Sequence, residues 1–391
     1  MIVTMELGIG KDDTRVSAIV EQGIGLGLKP EVRQTKGSRF QVTEVYMLDG
    51  SQIRSATVPD HTFQLQGVAQ VRRVSPPEVT LSQNGNGSTH ALRIGNCLVG
   101  EHHPCLLVAG PCTVDRYVER IIGALAKKGI RDFRGGAWKP RSEPGSFPGF
   151  GEPAVRWLFD ACVKHNARSV WTEVMESEDI EVVREAQKKS KFKGDVVLWV
   201  GARTKNLRLL QKLGEQRDCI VMLKNDLHFS GVMDHMRKAG WVLNVTRWDK
   251  NGKPHAQKVH AGNHRIILCL RGVEKRDPES PLRFDPNFSS AEILREKGCW
   301  AATAMDPSHI AGRLDLIWPV LNEALRHKPH ILIVEGGYPN AGFKNKTYPA
   351  FKGFCDVKQM VPIEEMGRVI KMVEDYNREM RQIGWIPPEG S

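Results

Sequence analysis

Residues 105–112 read Cys105-Leu106-Leu107-Val108-Ala109-Gly110-Pro111-Cys112, a short apolar run that ends on a turn and a reactive side chain. The same layout returns seven times: Ile130–Phe133 before Arg134, Ser169–Thr172 before Glu173, Val196–Val200 before Arg203, Ile220–Leu223 before Lys224, Ile266–Leu270 before Arg271, Cys299–Met305 before His309, and Ile331–Val334 before Glu335. Apolar runs of strand length alternating with helical stretches are the mark of a parallel sheet with crossover helices. Eight of them predict an α/β fold, a (β/α)8 TIM barrel over residues 105–385. Reactive side chains at the C-terminal ends of barrel strands read as catalytic. The layout therefore points to an enzyme. No sequence repeat and no Gly-x-Gly-x-x-Gly loop argues for a dinucleotide fold instead.

Working outward, residues 1–75 read as β-α-β-β-α-β, a small ferredoxin-like α+β domain. The elements are a Met1–Leu7 strand, a helix from about Asp12 to Gly27 with Val16, Ile19, Val20 and Leu26 inward, strands near Glu31 and Gln41, a weaker helical segment Asp60–Gln66 and a strand Val68–Val74. Ser75–Ser88 is rich in Pro, Gly, Asn and Ser, which marks the domain boundary, and residues 76–104 form a linker and barrel-capping segment. A last helix begins at Pro362 with Ile363, Met366, Ile370 and Val373 on one face.

At 391 residues the chain suits a barrel plus a smaller module. Its net charge of +11 is spread along the sequence without a basic tail, so nucleic acid is not expected as a partner. The lysine-rich stretch Lys188–Lys193 reads as solvated surface. No run approaches the length that crosses a bilayer and the N-terminus lacks the basic and then apolar layout of a signal peptide, which predicts a cytoplasmic protein without membrane contact. Eight scattered cysteines, five of them in or beside apolar runs, suit buried reduced thiols.

Closing a barrel makes its last strand the neighbour of its first. Cys112, His309 and Glu335 then come from three adjacent strands, and Asp356 in the long following loop completes a quartet. One thiolate, one imidazole and two carboxylates suit one divalent metal ion, Mn, Fe, Co or Zn, and not Ca or Mg. Taken singly, Cys112 reads better as a buried thiol and His309 as a helix cap; their joint placement reverses that. Asp306, three residues before His309, is a candidate to orient the imidazole or a bound water.

The opposite arc carries Arg134, Arg203, Lys224 and Arg271, and the loop Gly135-Gly136-Ala137-Trp138-Lys139-Pro140-Arg141-Ser142 adds two cations. Like charges gathered in a concavity are costly unless an anion fills it, so a phosphorylated or carboxylated substrate is expected. Glu173 lies between the arcs, where it would position a cation or a water.

The runs Ala109-Gly110-Pro111-Cys112, Phe133 through Ser142, Gly201-Ala202-Arg203 and Asp306-Pro307-Ser308-His309 resemble 3-deoxy-D-arabino-heptulosonate 7-phosphate (DAHP) synthases. The likeness covers nearly the whole chain and is to the short bacterial type related to 3-deoxy-D-manno-octulosonate 8-phosphate synthase. It implies condensation of phosphoenolpyruvate with erythrose 4-phosphate, releasing phosphate, as the first step of the shikimate pathway. It further implies that Arg134, Lys139, Ala202, Arg203, Lys224 and Arg271 bind phosphoenolpyruvate and that Arg141 and Ser142 take the aldose phosphate. Lys139, Cys112 and His309 would be catalytic, with Lys139 the candidate proton donor. An aromatic amino acid effector on the N-terminal domain and a homotetramer come with the same likeness.

Three stretches depart from the family pattern: Asn225-Asp226-Leu227-His228 after Lys224, Gly336-Gly337-Tyr338 where a His-Pro element is usual, and a longer Asn340–Gly353 segment. They surround the acceptor side. A different aldose acceptor in a secondary-metabolite pathway is the alternative they raise, and a retired regulatory homologue is a further one.

Overall fold

The computed structural model describes residues 1–37, 40–51, 53, 55, 58–72, 91–140, 145–228, 231–243, 262–339 and 357–388. Arg141, Ser142 and Asp356 lie outside the described residues, as do Cys355, the Ser75–Ser88 boundary and the long Asn340–Gly353 segment.

The N-terminal strands β1 (Ile2–Met5), β2 (Lys29–Lys36), β3 (Gln41–Leu48) and β4 (Val68–Arg72) pair antiparallel in the order β2-β3-β1-β4. This is the arrangement of a ferredoxin-like sheet. The helix Thr14–Gly25 starts because Asp13 accepts from Arg15 N, and it buries Val16 and Ile19 against Val45, Met47 and Phe63. Two expectations fail here. Leu26 lies beyond the helix and is exposed, and the Asp60–Gln66 segment forms only a 3-10 turn, Asp60–Phe63. Three of the four residues in Asp60–Phe63 are polar, so Phe63 alone supplies an apolar anchor and one turn suffices to seat it.

The main body is a closed ring of parallel strands: β7 (Leu106–Gly110), β8 (Asp132–Arg134), β9 (Ser169–Glu173), β10 (Asp195–Val200), β11 (Ile220–Lys224), β12 (Ile266–Leu270), β13 (Ala302–Met305) and β14 (Ile331–Gly337), preceded by a hairpin of β5 (Leu92–Ile94) and β6 (Cys97–Val99). β14 pairs with β7 through five registered residues, which closes the barrel, and a short β15 (Val361–Pro362) extends β14. Side chains alternate inward and outward with the period of two that a strand imposes. Trp171, Val197, Ile220, Met222, Ile267 and Ile333 fill the interior, while Phe133, Val170, Leu198 and Leu268 face the outer helices.

The hairpin seals the N-terminal end of the ring. Leu92, Ile94 and Val99 join the interior apolar cluster. Gly95 N donates to Asp195 Oδ2 at 2.6 Å and Arg265 Nη2 to the Arg93 carbonyl at 2.9 Å, tying the hairpin to residues that begin β10 and precede β12. The last helix, Met366–Gln382, buries Met366, Val369, Val373, Tyr376 and Met380. It begins later than the sequence implies, because Ile363–Glu365 forms a 3-10 turn after Pro362. No helix among the described residues is long and apolar enough to cross a membrane.

Candidate active site

A cavity opens at the C-terminal ends of the strands. Of the residues anticipated from sequence, it brings together Cys112, Arg134, Lys139, Glu173, Ala202, Arg203, Lys224, Arg271 and His309. Glu335 lies just behind the wall, fully buried, with its Oε1 3.7 Å from His309 Nε2.

The turn Asp306-Pro307-Ser308-His309 places three of its side chains at once. Asp306 caps the Pro307–Ala311 helix by accepting from His309 N at 3.2 Å, and Pro307 sits where a helical N–H has no partner anyway. Asp306 Oδ2 lies 2.8 Å from His309 Nδ1 and 2.9 Å from Lys224 Nζ. Ser308 Oγ accepts from Glu335 N at 2.9 Å, locking the helix onto β14. The helix stops at Gly312, whose φ of 67° and close approach to the Arg283 side chain both demand glycine.

Charge is distributed sharply across this wall. Burial disfavours ionised Asp306, but His309, Lys224 and Arg134 outweigh it and hold the carboxyl well below its usual range. Burial pushes His309 down to about 4, so the imidazole is neutral. Its Nδ1 faces Asp306 Oδ2 across a close contact that lacks hydrogen-bond alignment. Burial, reinforced by the Cys112 thiol, raises Glu335, whose Oε1 accepts from Arg134 Nη1 at 3.1 Å. Lys139 Nζ donates to the Cys112 carbonyl and lies 3.2 Å from Cys112 Sγ. A thiol, an imidazole facing a carboxylate, and a buried carboxylate make a donor set that fits a divalent transition metal. Among the described residues, no three such donors close on a single point.

The cationic arc is equally built. Trp199 lies beneath it, with Arg134 Cζ 5.1 Å and Lys224 Nζ 5.4 Å from its ring centroid. Arg271 is buried, and burial together with Arg203 and Arg283 lowers it to about 10; its Nη1 has no hydrogen-bond partner among the described residues. Burial raises Glu173 above its ordinary value even though Lys139, Lys224 and Arg134 oppose the shift. A concavity so rich in cations is arranged for a multiply charged anion.

Three cavity residues were not anticipated: Trp199, Arg283 and Gln359. Trp199 shares the inward register of Val197, but Val196–Val200 is apolar throughout, so nothing in the sequence marks which of its side chains face inward. Arg283 sits in a Pro- and Asp-rich loop and is brought to the rim by its N–H to the Ile310 carbonyl at 2.9 Å. Gln359 donates to Glu335 Oε2 at 2.8 Å, and nothing periodic in sequence marks it.

Two of the unusual stretches have structural explanations. Asn225 is buried, donating to the Gly272 carbonyl and accepting from Arg271 N at 2.8 Å, so it braces β11 against the strand end that carries Arg271. Gly336 and Gly337 extend β14 where a Cβ would stand 2.9 Å from Met366 Sδ and 2.7 Å from Met360 Sδ.

A family model described as the DAHP synthetase I family matches residues 78–346. The phospho-2-dehydro-3-deoxyheptonate aldolase of Thermotoga maritima is 27% identical over 338 residues, covering 86% of this chain and 88% of that protein. The crystal structure of phospho-2-dehydro-3-deoxyheptonate aldolase (DAHP synthase) from the same organism superposes with a TM-score of 0.71 at 25% identity, over 98% of each chain. A truncated form of 3-deoxy-D-arabino-heptulosonate 7-phosphate synthase from Thermotoga maritima gives a TM-score of 0.59 at 25% identity, over 79% of this chain and 99% of that one.

Proposed function

This chain belongs to the DAHP synthetase I family, and from that premise we propose the following reading of its site. The enzyme condenses phosphoenolpyruvate with erythrose 4-phosphate and water to give DAHP and inorganic phosphate, the first step of aromatic amino acid biosynthesis. The observation that carries this is one opening with Cys112 and His309 on one arc and Arg134, Lys139, Arg203, Lys224 and Arg271 on the other.

The cations of the second arc are assigned to the phosphate and carboxylate of phosphoenolpyruvate, with Ala202 beside them. Fixed guanidinium and ammonium groups hold those oxyanions and stabilise the charge that collects on departing phosphate. The bond that forms joins C3 of phosphoenolpyruvate to the aldehyde carbon; water then adds to C2, and the resulting hemiketal phosphate loses inorganic phosphate. Lys139 is assigned as the proton donor to the aldehyde oxygen, since its ammonium reaches Cys112 at the junction of the two arcs. Glu173 is assigned to orient the water. Arg141 and Ser142 are assigned to the aldose phosphate.

Metal dependence comes with the family. A divalent ion, Mn, Fe, Co or Zn, held by Cys112, His309, Glu335 and Asp356 would supply Lewis-acid polarisation of the aldehyde. Asp306 and Arg134 keep His309 and Glu335 oriented for that duty.

An aromatic amino acid effector bound by residues 1–75, a homotetrameric assembly and a cytoplasmic location complete the reading; the Thermotoga maritima DAHP synthase matches the whole chain, N-terminal sheet included. The decisive experiment measures phosphate release from phosphoenolpyruvate with erythrose 4-phosphate, arabinose 5-phosphate, ribose 5-phosphate and unphosphorylated aldoses, with and without chelator. Erythrose 4-phosphate supports turnover that chelator abolishes. Preference for another aldose would move the enzyme to a different pathway, and no release with any aldose would remove the catalytic reading.

A further inference from the structure

Gln359 is completely buried and lines the cavity beside the metal-donor arc. Its Nε2 donates to Glu335 Oε2 at 2.8 Å, while Arg134 occupies Glu335 Oε1 at 3.1 Å. The amide thus turns its NH2 to Glu335 and its oxygen away. That oxygen, Gln359 Oε1, has no donor among the described residues. A buried acceptor left without a donor is destabilising, and such atoms are kept where a ligand supplies the missing partner.

The two substrates assigned above differ in what they can supply. Phosphoenolpyruvate near neutral pH carries acceptor oxygens on its carboxylate and phosphate and no hydroxyl. It cannot satisfy an amide oxygen. The aldose carries hydroxyls that donate, and Gln359 stands next to Glu335 and His309, on the arc assigned to its aldehyde end.

We propose that Gln359 Oε1 accepts a hydrogen bond from a hydroxyl of the acceptor aldose, which makes Gln359 a specificity-determining residue for polyhydroxylated aldehydes. The inference rests on the condensation reading. Gln359 also positions Glu335 through its amide nitrogen, so loss of activity alone would not distinguish the two duties. The distinguishing quantity is discrimination between erythrose 4-phosphate and its 2-deoxy and 3-deoxy analogues.

The unmodified enzyme and Gln359→Met are each assayed for phosphate release with the three aldehydes. The unmodified enzyme prefers erythrose 4-phosphate over one of the deoxy analogues by about ten- to a hundredfold in kcat/KM, and Gln359→Met reduces that ratio to within about threefold of unity. Should Gln359→Met be too slow to assay, calorimetric affinities of the variant for the three aldehydes with phosphoenolpyruvate present report the same ratio. A variant that discriminates as its parent does overturns the assignment, including the case in which a water alone satisfies Oε1. No turnover by the unmodified enzyme with any aldose removes the condensation reading and this inference with it.

Discussion

Lys224 and His309 meet at one atom: Asp306 Oδ2 lies 2.9 Å from the lysine Nζ and 2.8 Å from the imidazole Nδ1. The carboxylate that pairs with Lys224 is thus the one that faces the His309 imidazole. Asp306→Asn removes the charge while preserving the shape. We expect divalent-metal affinity to fall roughly tenfold to a hundredfold, as loss of a ligand-orienting partner commonly does. The KM for phosphoenolpyruvate rises in the same variant. Metal titration by calorimetry and steady-state kinetics check both; a variant altered in one alone would show that the shared oxygen does not couple the arcs.

Arg271 is a buried cation whose Nη1 has no partner among the described residues and whose neighbours Arg203 and Arg283 repel it. Its placement serves ligand binding at the expense of stability. Arg271→Met therefore loses at least about tenfold in phosphoenolpyruvate affinity, the scale of one charge-assisted contact. In phosphate-free buffer its unfolding free energy equals or exceeds that of the parent. Denaturant titration beside ligand calorimetry decides, and a loss of more than about 2 kcal/mol in the free protein would contradict the account.

Cys112 is buried at the cavity, with Lys139 3.2 Å from its sulfur. Binding of Mn, Fe, Co or Zn should shield that thiol. Alkylation of Cys112, followed by mass spectrometry of the modified peptide, slows at least about tenfold when metal is present, because a metal-bound thiolate is removed from nucleophilic attack. Chelator restores the rate and abolishes turnover together. Equal rates with and without metal would exclude Cys112 as a ligand.

Burial lowers His235 to about 4 and His330 to about 3. His235 Nε2 donates to the Leu223 carbonyl at 2.8 Å, and His330 Nδ1 accepts from Thr303 N at 3.0 Å. Below the ordinary imidazole value the unfolded chain binds protons that the native one refuses, so stability rises with pH across this interval. Each histidine's contribution is complete above about pH 6.5 and is lost on acidification toward its folded-state value, by about 1.4 kcal/mol per pH unit. Unfolding free energies at pH 7 and pH 5 measure the slope. His330→Asn reduces it by about one proton's worth; an unchanged slope would refute the assignment.

Much of this was legible in the chain because a parallel barrel strand is covered on both faces and therefore reads as a continuous apolar run. β11 and β12 appear in sequence almost as they do in space. β8 is harder: it consists of Asp132, Phe133 and Arg134, all buried, and Asp132 is tolerated inside only because Arg168 and Ser169 satisfy it. Such a pairing between distant residues has no local signature. The same reason hid Arg283 and Gln359, which loops deliver to the cavity. Leu26 was misplaced inward because a periodic pattern does not announce where a helix stops, and this one ends at Gly25.

β5 and β6 cover the N-terminal end of a barrel whose interior is already packed, so among the described residues the cavity faces the C-terminal end alone. Arg134 and Lys224 sit deep while Arg203 and Arg283 stand exposed at the rim. An anion seated against the deep pair would lie beneath anything held at the rim, so we expect it to enter first and leave last.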